Sequence, residues 1–171
     1  MKTIYSLILF AFITASPILA QGQPHSHNDH IGKLLGVYFD IKDALVSDNF
    51  QSANRSLSLF EEEVNSSSEM NIHPSHAQQH DAHHDMMKEA VTSATSAENI
   101  AQLRGSFDEI TNELLKAIEN QGYSEGTLYV QFCPMQNDGK GAKWISREEN
   151  IMNPYFGAQM LKCGSNLDKI E

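Results

Sequence analysis

The sequence predicts a mainly α-helical protein: an antiparallel four-helix bundle followed by a small C-terminal β-hairpin and a short helical hook. Two observations lead to this prediction. Through most of residues 29–120, apolar residues recur at three- and four-residue steps, the spacing that places them on one face of a helix. After Gly122 the chain changes to short strand-like runs separated by turn residues.

The first two helices are predicted over residues 29–46 and 50–65, separated by a break at 47–49. Asp29 is the expected N-cap of the first helix, and the serine run after Asn65 ends the second. The apolar face of the first helix comprises Ile31, Leu34, Leu35, Tyr38, Ile41 and Leu45. That of the second comprises Phe50, Ala53, Leu57, Phe60 and Val64. Such a short break between two helices favours an antiparallel pair.

The third and fourth helices differ in the strength of their patterns. The third is predicted somewhere within residues 80–96, where the apolar residues are mostly alanine and methionine. The fourth is predicted from about Ser96 to Asn120, with an apolar face that comprises Ile100, Leu103, Phe107, Ile110, Leu114 and Ile118. Four helices of this length are most simply arranged as a bundle.

The C-terminal part is predicted to form a hairpin and a hook. Residues 128–132 and 142–146 have strand-like sequences and are joined by the turn-rich stretch NDGKG. NPYFG, residues 153–157, then predicts a turn. AQMLKCG, residues 158–164, predicts a short helix that ends at Gly164.

The N-terminus predicts export from the cytoplasm. Residues 1–20 have the basic start, the apolar run and the small-residue end of a secretory signal peptide, with a retained N-terminal anchor as the alternative. Residues 21–28 are then a flexible leader, and residues 29–171 a single domain with no membrane insertion after cleavage. The expected location is therefore outside the cytoplasm.

Charge and motif content narrow the class of function. Lys and Arg number 12 against 22 Asp and Glu, a net charge of −10, so nucleic-acid binding is not expected. The sequence carries no local signature of Cys-His, Ser-His-Asp or paired-carboxylate catalysis, so we do not expect an enzyme.

Residues 128–164 contain the most distinctive side-chain pattern. Cys133 and Met135 are two residues apart, so on an extended segment they share a face, and Met160 and Cys163 share a face on a helical turn. Thiolate and thioether are soft ligands that suit Cu(I) or Ag(I), whereas zinc prefers more cysteine and histidine. These four residues are the predicted metal site.

A disulfide is the alternative interpretation of the same two cysteines. An exported protein with two cysteines commonly pairs them. A Cys133–Cys163 bond would stabilise the fold by roughly 3–4 kcal/mol in the chain-entropy model. The protein would then be a disulfide-stapled interaction module that docks on an envelope or efflux partner without specific metal binding.

Residues 73–87 contain five of the eight histidines. If this segment is helical, His76, His80 and His84 lie one turn apart on one face and could share Cu(II) or Zn as an auxiliary metal site. The alternative is a solvated segment whose histidines have no specific role.

The motifs LYVQFCPM, GAKWIS, NPYFG and MLKCG, with YFDIKDALVSDNFQSA and LRGSF, resemble a bacterial family of exported domains of unassigned function. Members also occur as a C-terminal extension of periplasmic adaptor subunits of copper- and silver-type efflux pumps. The resemblance spans about residues 29–166. It implies a periplasmic helical domain that buffers Cu(I) or delivers it to an efflux adaptor, and the matching residues include Cys133, Met135, Asn153, Met160 and Cys163.

Overall fold

The computed structural model describes residues 27–66 and 77–171. The helices are α1 (His27–Val46), α2 (Phe50–Ser66), α3 (Ala77–Thr95) and α4 (Ile100–Gln121). They are followed by the strands β1 (Leu128–Cys133), β2 (Ala142–Ser146) and β3 (Ser165–Ile170), with a 3₁₀ turn at Gly157–Gln159 between the last two. The predicted signal peptide lies outside the described residues, as does the leader apart from its last two residues.

The four predicted helices and the mainly helical character are confirmed. Each helix packs on the next, and α1 also contacts α4. The antiparallel bundle arrangement stays a prediction. Two helix starts differ from expectation. The first helix, α1, begins at His27, so Asp29 lies inside it rather than at its N-cap. The fourth helix, α4, begins at Ile100 and is capped by Asn99, whose side chain accepts from the backbone N–H groups of Ala101 and Gln102.

The apolar faces predicted from the sequence form the core. Nearly all their members in α1, α2 and α4 are buried, with Phe50 and Ile100 only partly so. The sheet joins this core through Leu128, Ala142, Trp144 and Ile145. Aromatic rings also pack in this core. Phe107 stacks on Tyr38 at a centroid distance of 4.9 Å, and Tyr155 lies edge-on to Trp144 at a centroid distance of 6.1 Å.

The C-terminal region is a three-stranded antiparallel sheet in the order β2-β1-β3, so the predicted hairpin is part of a larger sheet. The helical hook is wrong: only the 3₁₀ turn forms, and residues 165–170 pair with β1 instead. The physical reason lies in Asn153. Its backbone N–H donates to the Leu161 carbonyl and its side-chain amide to the Cys163 carbonyl. These two bonds hold the segment in turns whose backbone bonds, Met160 to Gly157 and Cys163 to Met160, span three residues rather than the four of an α-helix.

The outer edge of β2 is covered by the helices and by the NPYFG segment. Lys143 donates its N–H to Asp108 on α4 at 3.3 Å, and its carbonyl accepts from the Tyr155 hydroxyl. Ile145 donates its N–H to the Tyr38 hydroxyl on α1 at 3.1 Å. Because an uncovered strand edge invites pairing with other chains, these contacts both protect the edge and fix the sheet on the helices.

The Tyr38 hydroxyl stands in the middle of a directed hydrogen-bond chain. Thr111 donates to the Phe107 carbonyl at 2.9 Å, which leaves its oxygen to accept from Tyr38 at 2.8 Å. Tyr38 in turn accepts from Ile145. Burial raises the pKa of Tyr38 above its ordinary value of 10.0, so its hydroxyl is protonated and can donate at neutral pH.

The NPYFG segment is anchored on the helices by Arg104. This guanidinium donates to the carbonyls of Pro154 and Leu45 and to the carboxylate of Asp48, at 2.7–2.8 Å. Asp48 also accepts from the Ala158 N–H at 3.0 Å. Gly157, with φ of 52°, fits against this ion pair because a Cβ there would lie 2.3 Å from the Asp48 carboxylate.

The first prediction concerns the Tyr38 hydroxyl. Tyr38→Phe should lower the free energy of unfolding by about 1–3 kcal/mol, because it leaves the Ile145 N–H without its partner in a buried site. Urea denaturation measures the change. Tyr129→Phe, which removes a hydroxyl from a half-buried residue of β1, is the control and should change stability by less than about 0.5 kcal/mol. Equal effects of the two substitutions would contradict the role assigned to Tyr38.

The second prediction concerns acid stability. The Ala158 N–H and then Arg104 lower the pKa of Asp48 below its ordinary value of 3.8. The native state therefore binds fewer protons than the unfolded state near this pH, so the stabilisation is present above pH 3.8 and is lost as pH falls through the native pKa. Asp48→Asn, which tolerates the φ of 55° found here, should flatten the fall in stability below about pH 4. Thermal unfolding at several pH values measures the change. If the unfolding temperature falls equally steeply below about pH 4 in the variant and in the wild type, this assignment is contradicted.

Candidate functional site

The two cysteines lie next to each other at one end of the sheet. Cys133 is the last residue of β1, opposite Ala142 of β2, and is fully buried. Cys163 is half-buried and lies two residues before Ser165, which pairs with Phe132. Both are unbonded thiols, and they lie on neighbouring segments, because Phe132 just before Cys133 pairs with Ser165 shortly after Cys163. The structure thus brings together the two cysteines that the sequence places 30 residues apart.

The electrostatics around Cys163 favour its protonated thiol. Desolvation and then the neighbouring Cys133 raise the pKa of Cys163 above its ordinary value of 9.0. A thiol in this state is a weak nucleophile at neutral pH, because the thiolate is the reactive form. A bound cation would have to displace the proton, so ligand binding here would release protons.

Asn153 fixes the position of Cys163. Its amide nitrogen donates to the Cys163 carbonyl at 2.8 Å, while its side-chain oxygen accepts from the N–H groups of Tyr155 and Phe156. Asn153 is fully buried, so these bonds are made away from water. The turn predicted from NPYFG therefore holds the cysteine-bearing segment.

A second buried carboxamide holds the connection between β2 and β3 on the sheet. The Gln131 amide nitrogen lies 2.8–3.1 Å from the carbonyls of Glu148 and Glu149 and the side-chain oxygen of Asn166. Its own side-chain oxygen and the indole N–H of Trp144, directly opposite in the register, have no partner among the described residues. This face of the sheet is thus a polar environment beside Cys133.

Gly164 allows the cysteine-bearing segment to lie close to the sheet. A Cβ at this position would lie 2.7 Å from the Phe132 carbonyl oxygen and 2.8 Å from the Trp144 ring. Its φ of 142° is also one that other residues rarely adopt. The close approach of Cys163 to Cys133 therefore depends on glycine at 164.

The two predicted methionine ligands are placed less favourably for metal binding than the two cysteines. Met160 is half-buried, and its carbonyl accepts from the Cys163 N–H at 2.9 Å, so the two residues share one turn as expected. Met135 was expected on an extended segment, but β1 ends at Cys133 and Met135 lies in the following turn, 55% exposed. The alternation of strand side chains thus ends before it reaches Met135.

The three predicted histidine ligands are described only in part. His76 lies outside the described residues. His80 is part of α3, but the described part of the structure does not include its side chain. The His84 ring is half-buried, and its Nε2 donates to the Val64 carbonyl of α2 at 2.7 Å. His84 therefore links α3 to the end of α2.

Within residues 27–66 and 77–171, no three His, Cys, Asp or Glu side chains are grouped so that they could hold a metal ion. No helix in the same part of the chain combines the length and the apolar character needed to cross a bilayer.

The sequence did not reveal the residues that position the thiols. Asn153 had a detectable signal, because asparagine before proline favours a turn in which its side chain bonds the backbone. Gln131, Arg104 and Asp48 had none, since each acts on a segment remote in sequence.

Comparison with known proteins gives one family match. A family described as "Protein of unknown function (DUF3347)" matches residues 34–126, which run from α1 to just before β1. No curated protein and no solved structure matches the chain. Cys133 and Cys163 lie beyond the matched residues.

A third prediction tests the role of Asn153. Asn153→Ala should lower the free energy of unfolding by about 2–4 kcal/mol, because it leaves buried N–H and carbonyl groups without partners. Cys163 should also react faster with a maleimide in the folded protein. Asn112→Ala on α4 is the control. Destabilisation with no change in thiol reactivity would show that Asn153 supports the fold without positioning Cys163.

Proposed function

The chain belongs to the family described as "Protein of unknown function (DUF3347)", and since this description assigns no activity, we propose a function from the chemistry of its side chains. We propose that the protein is an exported soft-metal-binding protein that holds Cu(I) or Ag(I) between Cys133 and Cys163. In the periplasm it would buffer the ion or deliver it to efflux.

One observation supports this proposal most directly: the two unbonded thiols lie on neighbouring segments at the same end of the sheet. Soft thiolate ligands select Cu(I), and a pair of adjacent thiols can provide two of them to one ion. A tetrahedral zinc site prefers four cysteine or histidine ligands, and among the residues that the structure describes no three His, Cys, Asp or Glu side chains are grouped to hold a metal.

The difference in burial gives the two thiols different roles. Half-buried Cys163 would meet the ion first, and Cys133, which has no exposed surface, would complete the coordination. Met160 shares a turn with Cys163 and is the proposed thioether ligand, whereas exposed Met135 would take part only after the turn moves. Because ligation displaces thiol protons, affinity should rise with pH.

The remaining parts of the proposal rest on the sequence. His76, His80 and His84 would form the auxiliary site, for Cu(II) or Zn, and His84 would have to exchange its bond to Val64 or ligate through its other ring nitrogen. The proposed recipient of the ion is a periplasmic efflux adaptor subunit, on the basis of the resemblance described above.

The fourth prediction is a Cu(I) titration of the reduced protein under anaerobic conditions against a competing chelator. We expect one-to-one binding. Cys133→Ala and Cys163→Ser should each weaken it by more than about 100-fold, since even changes in supporting residues of metal sites cost 10–100-fold. Met160→Leu should weaken it less. Met152→Leu is the matched control, because the Met152 sulfur lies 3.3 Å from the Lys162 ammonium rather than in the thiol pair.

Two results would count against this function. One is failure of the fully reduced protein to compete with the chelator. The other is equal weakening in the Met152 and Met160 variants. Either result would favour the alternative, an interaction module in which the Cys133–Cys163 pair only stabilises the fold.

A further inference from the structure

We propose that Cys133 and Cys163 form a thiol–disulfide exchange site for a small external disulfide of the glutathione type, in which Cys163 attacks the external disulfide and Cys133 is the resolving residue. This inference goes beyond metal binding. It rests on the unequal exposure of two thiols that lie on neighbouring segments of the sheet.

The first step is set by access. Cys133 has no solvent-exposed surface, so an external disulfide cannot reach its sulfur in the folded protein. Cys163 is only half-buried, so it is the cysteine that an external disulfide can reach. The first bond to form is therefore a mixed disulfide at Cys163, with release of one molecule of the small thiol.

The second step is set by proximity. Cys133 ends β1 beside the segment that carries Cys163, because Phe132 pairs with Ser165, so its thiol is close to the mixed disulfide once that has formed. Attack by Cys133 forms the Cys133–Cys163 bond and releases the second small thiol. One disulfide is consumed and one is made, the two protein thiol protons pass to the two released thiols, and no other oxidant is needed.

The surrounding structure keeps the two sulfurs together in both states. Asn153 holds the Cys163 carbonyl and Gly164 lets the segment lie close to β1, while Cys133 is fixed by its pairing with Ala142. Oxidation would therefore change one bond without rearranging the sheet. It would also remove both thiolates that the proposed metal site needs, and this consequence alone rests on the proposed function.

The test uses glutathione disulfide on the purified, fully reduced protein, followed by mass spectrometry of the intact chain. The wild type should lose two hydrogen atoms and retain no glutathione. Cys133→Ala should instead accumulate one glutathione on Cys163, because no resolving thiol remains. In Cys163→Ser the remaining thiol, Cys133, should react far more slowly because it is buried. Its glutathionylation should be about tenfold or more slower than that of Cys163 in Cys133→Ala.

The controls separate this inference from folding and from metal binding. Circular dichroism and thermal unfolding establish that both variants are folded, and labelling of Cys133 after urea unfolding shows that it is chemically reactive. Stable glutathione on the wild type, or equal labelling of the two variants, would overturn the proposal. No metal ion takes part in this experiment. A protein that fails to bind Cu(I) can therefore still show disulfide exchange, and a protein that binds Cu(I) can still fail to show it.

Discussion

The hydrogen bond from the Ile145 backbone to the buried Tyr38 hydroxyl is the constraint on which the placement of the sheet depends. It joins a strand edge to the first helix across more than 100 residues of chain. A backbone donor buried without a partner costs as much as a lost hydrogen bond, so the sheet has one favourable position on the helices. The neighbouring bonds of Lys143 to Asp108 and Tyr155 act in the same direction.

The position of the thiol pair follows from that placement. Once β2 is fixed, β1 and its terminal Cys133 are fixed by pairing, and Tyr155 brings the NPYFG segment against the same edge. Arg104 and Asp48 attach this segment to the helices, and Asn153 then sets the path of the chain into Cys163. The cysteines lie on neighbouring segments because of this series of polar contacts, most of which are buried or partly buried.

The chemistry open to the pair depends on its surroundings more than on the sulfur atoms. Two thiols in contact can share a soft cation or exchange with a disulfide, and both reactions need access from solvent on one side only. The half-buried position of Cys163 beside fully buried Cys133 provides this asymmetry. Metal capture and oxidation would then compete for the same two atoms.

The sequence by itself determined the four helices, their buried faces and the strands β1 and β2, because apolar periodicity and turn residues act locally. Only the tertiary structure decided that residues 158–164 do not form a helix, that 165–170 add a third strand, and that Cys163 meets Cys133. β3 has few apolar residues to mark it, and its pairing with β1 is a long-range contact. Asn153 outweighs the local helix tendency because its bonds to the carbonyls of Leu161 and Cys163 hold this segment in turns against the NPYFG segment.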